Sequence, residues 1–311
     1  MRDIPFVKMQ GAGNDFVLMD MLGAIHPSTS SGQVEPPIQN MSEFARKICD
    51  RHFGIGADGL ILVLPSEKAD YRMRIINSDG SEAEMCGNGI RCFARYIWEN
   101  KMGADGPVGA GSRDSTELAE VLPVPNPPVA APERSDIISV ETLAGIIIPA
   151  IIEDDGKFIG VEVDMGVPKE EVLNETLKVE GTSYKINKIS MGNPHCVIFV
   201  DDLEAVDLAQ IGPVIENLPQ FPDRTNVEFA RVISRSEMDL KVWERGAGQT
   251  LACGTGACAA VAAAILNGLT DRKVSVHLPG GDLEIEWEQD KHIIMRGPAE
   301  KVFEGVLRTV S

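Results

Sequence analysis

The sequence predicts an α/β protein built from two similar halves, and three observations carry that prediction. Cys86-Gly-Asn-Gly-Ile-Arg-Cys92 and Cys253-Gly-Thr-Gly-Ala-Cys258 repeat one design, a Cys before a Gly-rich turn that opens into an apolar, helix-like run. The residues ahead of each turn repeat as well. Asn77 and Glu244 stand nine residues before Cys86 and Cys253, and Gly13-Asn14-Asp-Phe-Val and Gly192-Asn193-Pro-His-Cys-Val each lead into a strand. Strand-like alternation surrounds the turns, with Tyr71, Met73 and Ile75 interleaved with Arg72 and Arg74 in the period of a half-buried strand.

Taken in order, Phe6–Met9 and Phe16–Met19 read as strands flanking Gln10-Gly-Ala-Gly-Asn14. A Ser/Pro-rich loop insertion over Gly23–Asn40 precedes a helix over about Ser42–His52, with Ser42 as its N-cap. Leu60–Leu64 and Tyr71–Ile76 follow as strands. After the first Cys-Gly turn, Ile90, Phe93, Ala94, Ile97 and Trp98 fall on one face of a helix. Gly103–Arg134 is dense in Pro and Gly and cannot bury enough apolar side chain to offset its ordering entropy, so it reads as a surface excursion. In the second half, Leu240 and Val242 flank Lys241 in a strand running to Glu244. The run Ala257–Leu266 is apolar at every position, which places that helix at the centre of its half. The expected halves are residues 1–145, joined by the tail 298–311, and residues 146–297.

The 311-residue chain is 43% hydrophobic and 24% charged, within the range of a globular protein. A formal net charge of −18 argues against nucleic acid and anionic membrane surfaces as partners. It leaves open a small anionic substrate held by a few placed donors. No run approaches the ~18 apolar residues of a membrane span, and Ile146–Ile152 is broken by Pro149. The opening Met-Arg-Asp-Ile-Pro-Phe lacks an apolar signal core, so a cytoplasmic location is expected. Six cysteines in so long a chain are expected as reduced thiols. No C-x-x-C pair or Cys/His cluster supports a zinc site.

A cysteine at a helix start meets unpaired N–H groups and the favourable end of the helix dipole. That setting is expected to lower the thiol pKa and free a thiolate for chemistry. Two such thiols, Cys86 and Cys253, facing one substrate suit removal of a proton from one face of a carbon and its return to the other. The same helix starts supply N–H groups for a substrate carboxylate, and Gly87, Gly89, Gly254 and Gly256 let the backbone approach it. Cys49, Cys92, Cys196 and Cys258 read as core residues. Gln10-Gly-Ala-Gly-Asn-Asp-Phe falls short of a dinucleotide fingerprint, because the third glycine is missing and a strand follows.

Together the segments Gly11–Phe16, Asn77–Ser81, Met85–Cys92, Gly192–Cys196, Arg224–Phe229, Glu244–Cys258 and His277–Gly281 resemble the diaminopimelate epimerase family. The resemblance implies two pseudo-symmetric domains, each a curled mixed β-sheet or barrel around a central helix, with the site in the cleft between them. It implies cofactor-independent interconversion of LL- and meso-diaminopimelate, without pyridoxal phosphate or metal, in lysine and peptidoglycan precursor synthesis. Cys86 and Cys253 take the acid/base roles, one as thiolate and one as thiol, with His195 and Glu244 tuning them. Asn14, Asn77, Gly87, Asn88, Asn193, Asn226, Glu244, Arg245, Gly254 and Thr255 are implied as substrate-binding residues. Arg245 suits a distal carboxylate through its bidentate fork. A homodimer is implied too. The chain departs from some members in reading Ala57-Asp-Gly59 where a substrate-binding Gln stands, and Gln249 where Glu is frequent. Two alternatives remain at this stage: a proline- or hydroxyproline-type racemase of the same superfamily, and a non-catalytic binding protein using the two thiols as a redox switch.

Overall fold

A computed structural model describes residues 3–22, 38, 40–101 and 138–308. The insertion at 23–40, apart from Ile38 and Asn40, and the whole of 103–134 lie outside the described residues, as do 309–311 of the tail.

The first half runs β1 (Asp3–Gly11), β2 (Asn14–Asp20), α1 (Met41–Cys49), β3 (Gly59–Leu64), β4 (Tyr71–Asn77), β5 (Glu82–Ala83), α2 (Gly87–Lys101), β6 (Val140–Thr142) and β7 (Gly145–Ile147). Then come β8 (Ala150–Asp154), β9 (Lys157–Asp164), β10 (Lys169–Val179), β11 (Thr182–Ser190), β12 (Pro194–Phe199), α3 (Leu208–Glu216), β13 (Asn226–Ser234), β14 (Glu237–Glu244) and β15 (Gly248–Thr250). The chain closes with α4 (Gly254–Leu266), β16 (Lys273–Leu278), β17 (Gly281–Trp287), β18 (Ile293–Gly297) and β19 (Glu300–Arg308).

These strands form two mixed sheets, ordered β19-β1-β2-β3-β4-β6-β7 and β10-β11-β12-β13-β14-β16-β17-β18-β9-β8, with β5 on β4 and β15 on β14. The sheets change over between Ile147 and Ala150, and β19 returns to pair antiparallel with β1. Among the described residues both sheets are open, neither closing into a barrel.

The duplication is explicit in the pairing. β2 is parallel to β3, β3 antiparallel to β4, and β4 parallel to β6. In the second sheet β12 is parallel to β13, β13 antiparallel to β14, and β14 parallel to β16. The short strands β5 and β15 hang on β4 and β14, and each leads into a cysteine and a helix. Asn77 and Glu244 end the equivalent strands β4 and β14.

β3 is covered on both faces and is apolar throughout, whereas β4, β14, β16 and β17 alternate. Ile61 and Val63 of β3 turn toward α2 and its Ile90, Phe93, Ala94 and Ile97. Leu60 and Leu62 turn the other way, toward Ala45, Ile48 and Cys49 of α1. In the second half α3 covers Cys196, Ile198, Val227 and Phe229 with Leu208, Ile211 and Ile215. α4 lies on the opposite face, its residues Ala257 to Ala264 all buried. Among the described residues no helix is long and apolar enough to cross a membrane.

α1 differs from the sequence expectation at both ends. Its N-cap is Asn40, whose Oδ1 accepts from the Glu43 N–H at 3.1 Å, so Ser42 lies inside the first turn. Glu43 Oε2 accepts from Asn40 Nδ2 in return, a reciprocal cap. The helix stops at Cys49 rather than His52, because Asp50 is extended and its carboxylate takes up the N–H groups of His52 and Phe53.

Candidate active site

Each cysteine sits at a helix start for a local reason. The first N–H groups of a helix have no intrahelical carbonyl to bond, and a side chain just ahead of them is placed to accept. Cys253 is the N-cap of α4: its sulfur accepts from the Gly256 N–H at 3.4 Å and its carbonyl from the Ala257 N–H at 3.0 Å. Cys86 repeats this before α2, its sulfur accepting from the Gly89 N–H at 3.5 Å and its carbonyl from the Ile90 N–H at 2.9 Å.

The two helix starts abut. A Cβ on Gly254 would lie 3.7 Å from the Gly87 Cα and 3.0 Å from Met295 Sδ, and one on Gly87 would lie 2.9 Å from Met295 Cε. Glycine at both positions permits the approach, with Met295 of β18 wedged against them. Asn88 Nδ2 donates to the Ala252 carbonyl at 3.2 Å, tying the start of α2 to the residue before Cys253. Arg91, fully buried, locks the turn from behind. Its Nη1 donates to the Gly87 carbonyl at 3.1 Å, Nη2 to Asn88 Oδ1 at 2.9 Å, and Nε to the Pro298 carbonyl at 3.0 Å.

Beside Cys86 stands Asn14, its Oδ1 3.8 Å from the sulfur. That oxygen also accepts from Asn88 Nδ2 at 3.2 Å, while Asn14 Nδ2 donates to Asp58 Oδ2 at 2.7 Å. Beside Cys253 the Thr255 hydroxyl lies 3.5 Å from the sulfur and accepts from Asn193 Nδ2 at 3.3 Å. His195 Nε2 lies 3.0 Å from Asn193 Oδ1, and His195 Nδ1 lies 2.7 Å from Glu228 Oε1, with both side chains buried. Glu244 hydrogen-bonds Cys253 and accepts from the Thr250 hydroxyl at 2.6 Å. Asn226 is committed to the protein, accepting from the Arg245 backbone N–H and donating to the Pro194 carbonyl, both at 2.9 Å. Arg245 is exposed, with Nη1 donating to the Asp223 carbonyl at 2.9 Å, and among the described residues no carboxylate pairs with it. Asn77 is exposed as well, its Nδ2 donating to Ser81 Oγ at 3.0 Å.

The electrostatics correct the expectation of lowered thiol pKa values. Burial pushes the Cys86 thiol above its ordinary range, with Glu244 adding to the rise and the Gly89 and Asn88 N–H groups and Arg91 opposing it. Cys253 rises further, through burial first and then the carboxylates of Glu244 and Glu228, against donors from Thr255 and Gly256. Burial also raises Glu244, whose bonds from Thr250 and Cys253 pull the other way. The helix-start donors act in the expected direction, but desolvation outweighs them. A bound cation would add to the single positive charge of Arg91 and favour a thiolate.

A family model described as diaminopimelate epimerase matches residues 6–116 and 188–302. The chain belongs to the diaminopimelate epimerase family. Diaminopimelate epimerases of Pelotomaculum thermopropionicum and Desulfitobacterium hafniense are 48% and 50% identical to it, over 96% and 97% of this chain and 97% of each relative. Among solved structures, a phenazine biosynthesis protein of the PhzF family from Bacillus anthracis superposes with a TM-score of 0.68 at 17% identity, covering 99% of this chain and 100% of the other. A hydroxyproline epimerase from Agrobacterium vitis, with bound trans-4-hydroxy-L-proline, superposes at 0.65 and 13% identity, covering 99% and 91%. At those identities the two show a shared fold and nothing more. The family is one of isomerases.

Three residues of the site escaped the sequence reading. Arg91 and Met295 carry no local sign of their roles, since an Arg in a helix and a Met in a strand are ordinary. Glu228 sits between Val227 and Phe229, where alternation suggests a solvent-facing carboxylate, yet both faces of β13 are covered there.

Proposed function

We propose that this chain interconverts LL- and meso-diaminopimelate by a two-base mechanism in which Cys86 and Cys253 are the acid/base pair. The observation that supports this most is the pair of cysteine-capped helix starts brought together at Gly87 and Gly254. One cysteine, as thiolate, takes the α-proton; its S–H bond forms as the Cα–H bond breaks, and the electron pair passes into the carboxylate. The other cysteine, as thiol, delivers its proton to the opposite face and is left as thiolate. The roles exchange with direction. Backbone N–H groups of Gly87, Asn88, Gly254 and Thr255 would hold the charge that develops on the carboxylate, the largest electrostatic contribution available here.

Asn14, Asn193 and Glu244 border the thiols, while Asn77 and Arg245 offer exposed donors for the distal amino-acid end. Asn226 serves this reading by holding the Arg245 backbone rather than by offering a free amide. His195 and Glu244 act on Cys253 through the contacts described above. The reaction is read without pyridoxal phosphate or metal, within lysine and peptidoglycan precursor synthesis in the cytoplasm. A homodimer belongs to the same reading: Val302, Phe303 and Val306 are exposed on β19, the edge of the first sheet, where a second copy would pack.

Cys86→Ala and Cys253→Ala should each lower kcat/KM for LL-diaminopimelate by about 10²–10⁴-fold, the range for loss of one acid/base group. Proline and 4-hydroxyproline should remain unreacted with the unaltered enzyme. Turnover of proline in place of diaminopimelate would move the chain to the racemases, and full activity in either variant would remove the two-thiol assignment.

A further inference from the structure

The two half-sites place an asparagine at the same point of the repeat but turn its amide in opposite directions. Asn14 gives its Nδ2 to Asp58 and so presents Oδ1 toward Cys86. Asn193 gives its Oδ1 to His195 and so presents Nδ2 toward Thr255 beside Cys253. What stands behind the amide decides its direction. Asp58 can only accept when ionised, whereas His195 must donate from Nε2 for the Asn193 oxygen to face it.

Which His195 nitrogen carries the proton is set by what the other one meets. Nδ1 meets Glu228 Oε1 at 2.7 Å. If Glu228 is ionised, Nδ1–H donates to it, and Nε2 must carry a hydrogen as well for Asn193 Oδ1 to face it. If Glu228 holds the proton, its O–H donates to Nδ1 and the neutral ring again carries its hydrogen on Nε2. A neutral ring with its hydrogen on Nδ1 alone would set a bare Nε2 against Asn193 Oδ1, two acceptors 3.0 Å apart, so the amide direction selects the states in which Nε2 donates.

Glu228 is costly as a structural residue. It is fully buried, and among the described residues its Oε2 has no hydrogen-bond partner. An apolar side chain would fill β13 without that penalty. Room for it comes from Gly256, where a Cβ would lie 2.8 Å from Glu228 Oε1.

We propose that Glu228 is a positioning residue for the two-thiol reaction: it holds the proton on His195 Nε2, which fixes the Asn193 amide and so directs the Thr255 hydroxyl hydrogen toward the Cys253 sulfur. The proposal rests on the reading of Cys253 given above. Because the hydroxyl oxygen already accepts from Asn193, its hydrogen is left for the sulfur, and a donor there favours the thiolate. Without the carboxyl, Nδ1 can take the proton, Nε2 becomes an acceptor, Asn193 turns over, and Thr255 donates to Asn193 Oδ1 instead. Charged and titratable groups around this path are Glu244 from β14, Cys196 from β12 and Cys253 itself, with Arg91 of α2 beside Cys86 and Cys258.

Two measurements test it. In unaltered protein labelled with ¹⁵N-histidine, the resonance lost in His195→Gln should show Nε2 protonated at every pH where the protein is folded. A neutral ring protonated on Nδ1 alone would overturn the proposal. In Glu228→Leu, the limb of kcat/KM that reports thiolate formation should move up by about one pH unit, the scale of one lost bond to a charged group. Glu228→Gln, which can donate to Nδ1 from its amide, should restore the wild-type limb. A downward shift in Glu228→Leu would mean that Glu228 acts only by repelling the thiolate, and an unchanged limb with lower activity would mean a packing role; either sinks the relay. Activity surviving Cys253→Ala would instead sink the underlying two-thiol reading, and the histidine spectrum stands apart from activity altogether.

Discussion

A thiol beside a helix start is pulled two ways, and at both cysteines desolvation prevails over the N–H donors. The consequence is a pH dependence of definite sign. Catalysis needs one thiolate, and a pKa raised in the free enzyme keeps that thiolate scarce at neutral pH. Between pH 6.5 and 8.5, kcat/KM should therefore climb, approaching ten-fold per unit where the thiol is still mostly protonated. A flat profile over that span would contradict the burial argument. The sequence made Cys86, Cys253, Asn14 and Asn193 legible because each belongs to a local motif repeated in both halves. Glu228 and Arg91 were not legible, because their roles depend on which strand face is covered and on a loop more than 200 residues away at Pro298.

At the scale of single elements, patterns of apolar side chains identified α2 and α4, and the caps governed where elements begin. Ser42 is the residue type that a reader of sequence chooses as N-cap, but Asn40 makes the bond to Glu43. Asn40→Ala should then lower stability by about 1 kcal/mol. Ser42→Ala, lacking that bond, should stay within about 0.5 kcal/mol. Urea denaturation of the two variants checks the assignment, and the opposite ranking would return the cap to Ser42. α4 shows a different constraint. Its alanines, buried all round, let sheet and helix approach closely, so enlarging one overpacks the core. Ala260→Leu should destabilise by about 1–3 kcal/mol in the same assay; a neutral result would mean the helix has slack around it.

Across the whole molecule the repeat was readable from spacing, whereas the pairing of β19 with β1 joins the two ends of the chain and is encoded by no local pattern. The open sheets follow from strand pairing that no local pattern encodes. Burial of cysteines throughout both cores has a collective effect on stability. Burial pushes Cys49 and Cys92 up to about 12, and it raises Cys196 and Cys258 too. A thiol raised in the folded state keeps its proton where the unfolded chain has lost it. Its contribution is therefore whole below about pH 8.5 and falls as pH climbs toward the folded value, by about 1.4 kcal/mol per thiol per unit. Under reducing conditions the urea midpoint should drop markedly from pH 8 to pH 10, and an unchanged midpoint would show that these thiols ionise in the folded core. The central claim, that two thiols work on opposite faces of one carbon, is tested most directly by isotope. LL-diaminopimelate would be turned over in D₂O by reduced enzyme to low conversion, and product and residual substrate would be separated and weighed by mass spectrometry. Meso product carrying one solvent deuterium, beside LL substrate still fully protiated, is the predicted result. Product that keeps the original hydrogen, or substrate labelled as fast as product, would mean a single base and contradict the account.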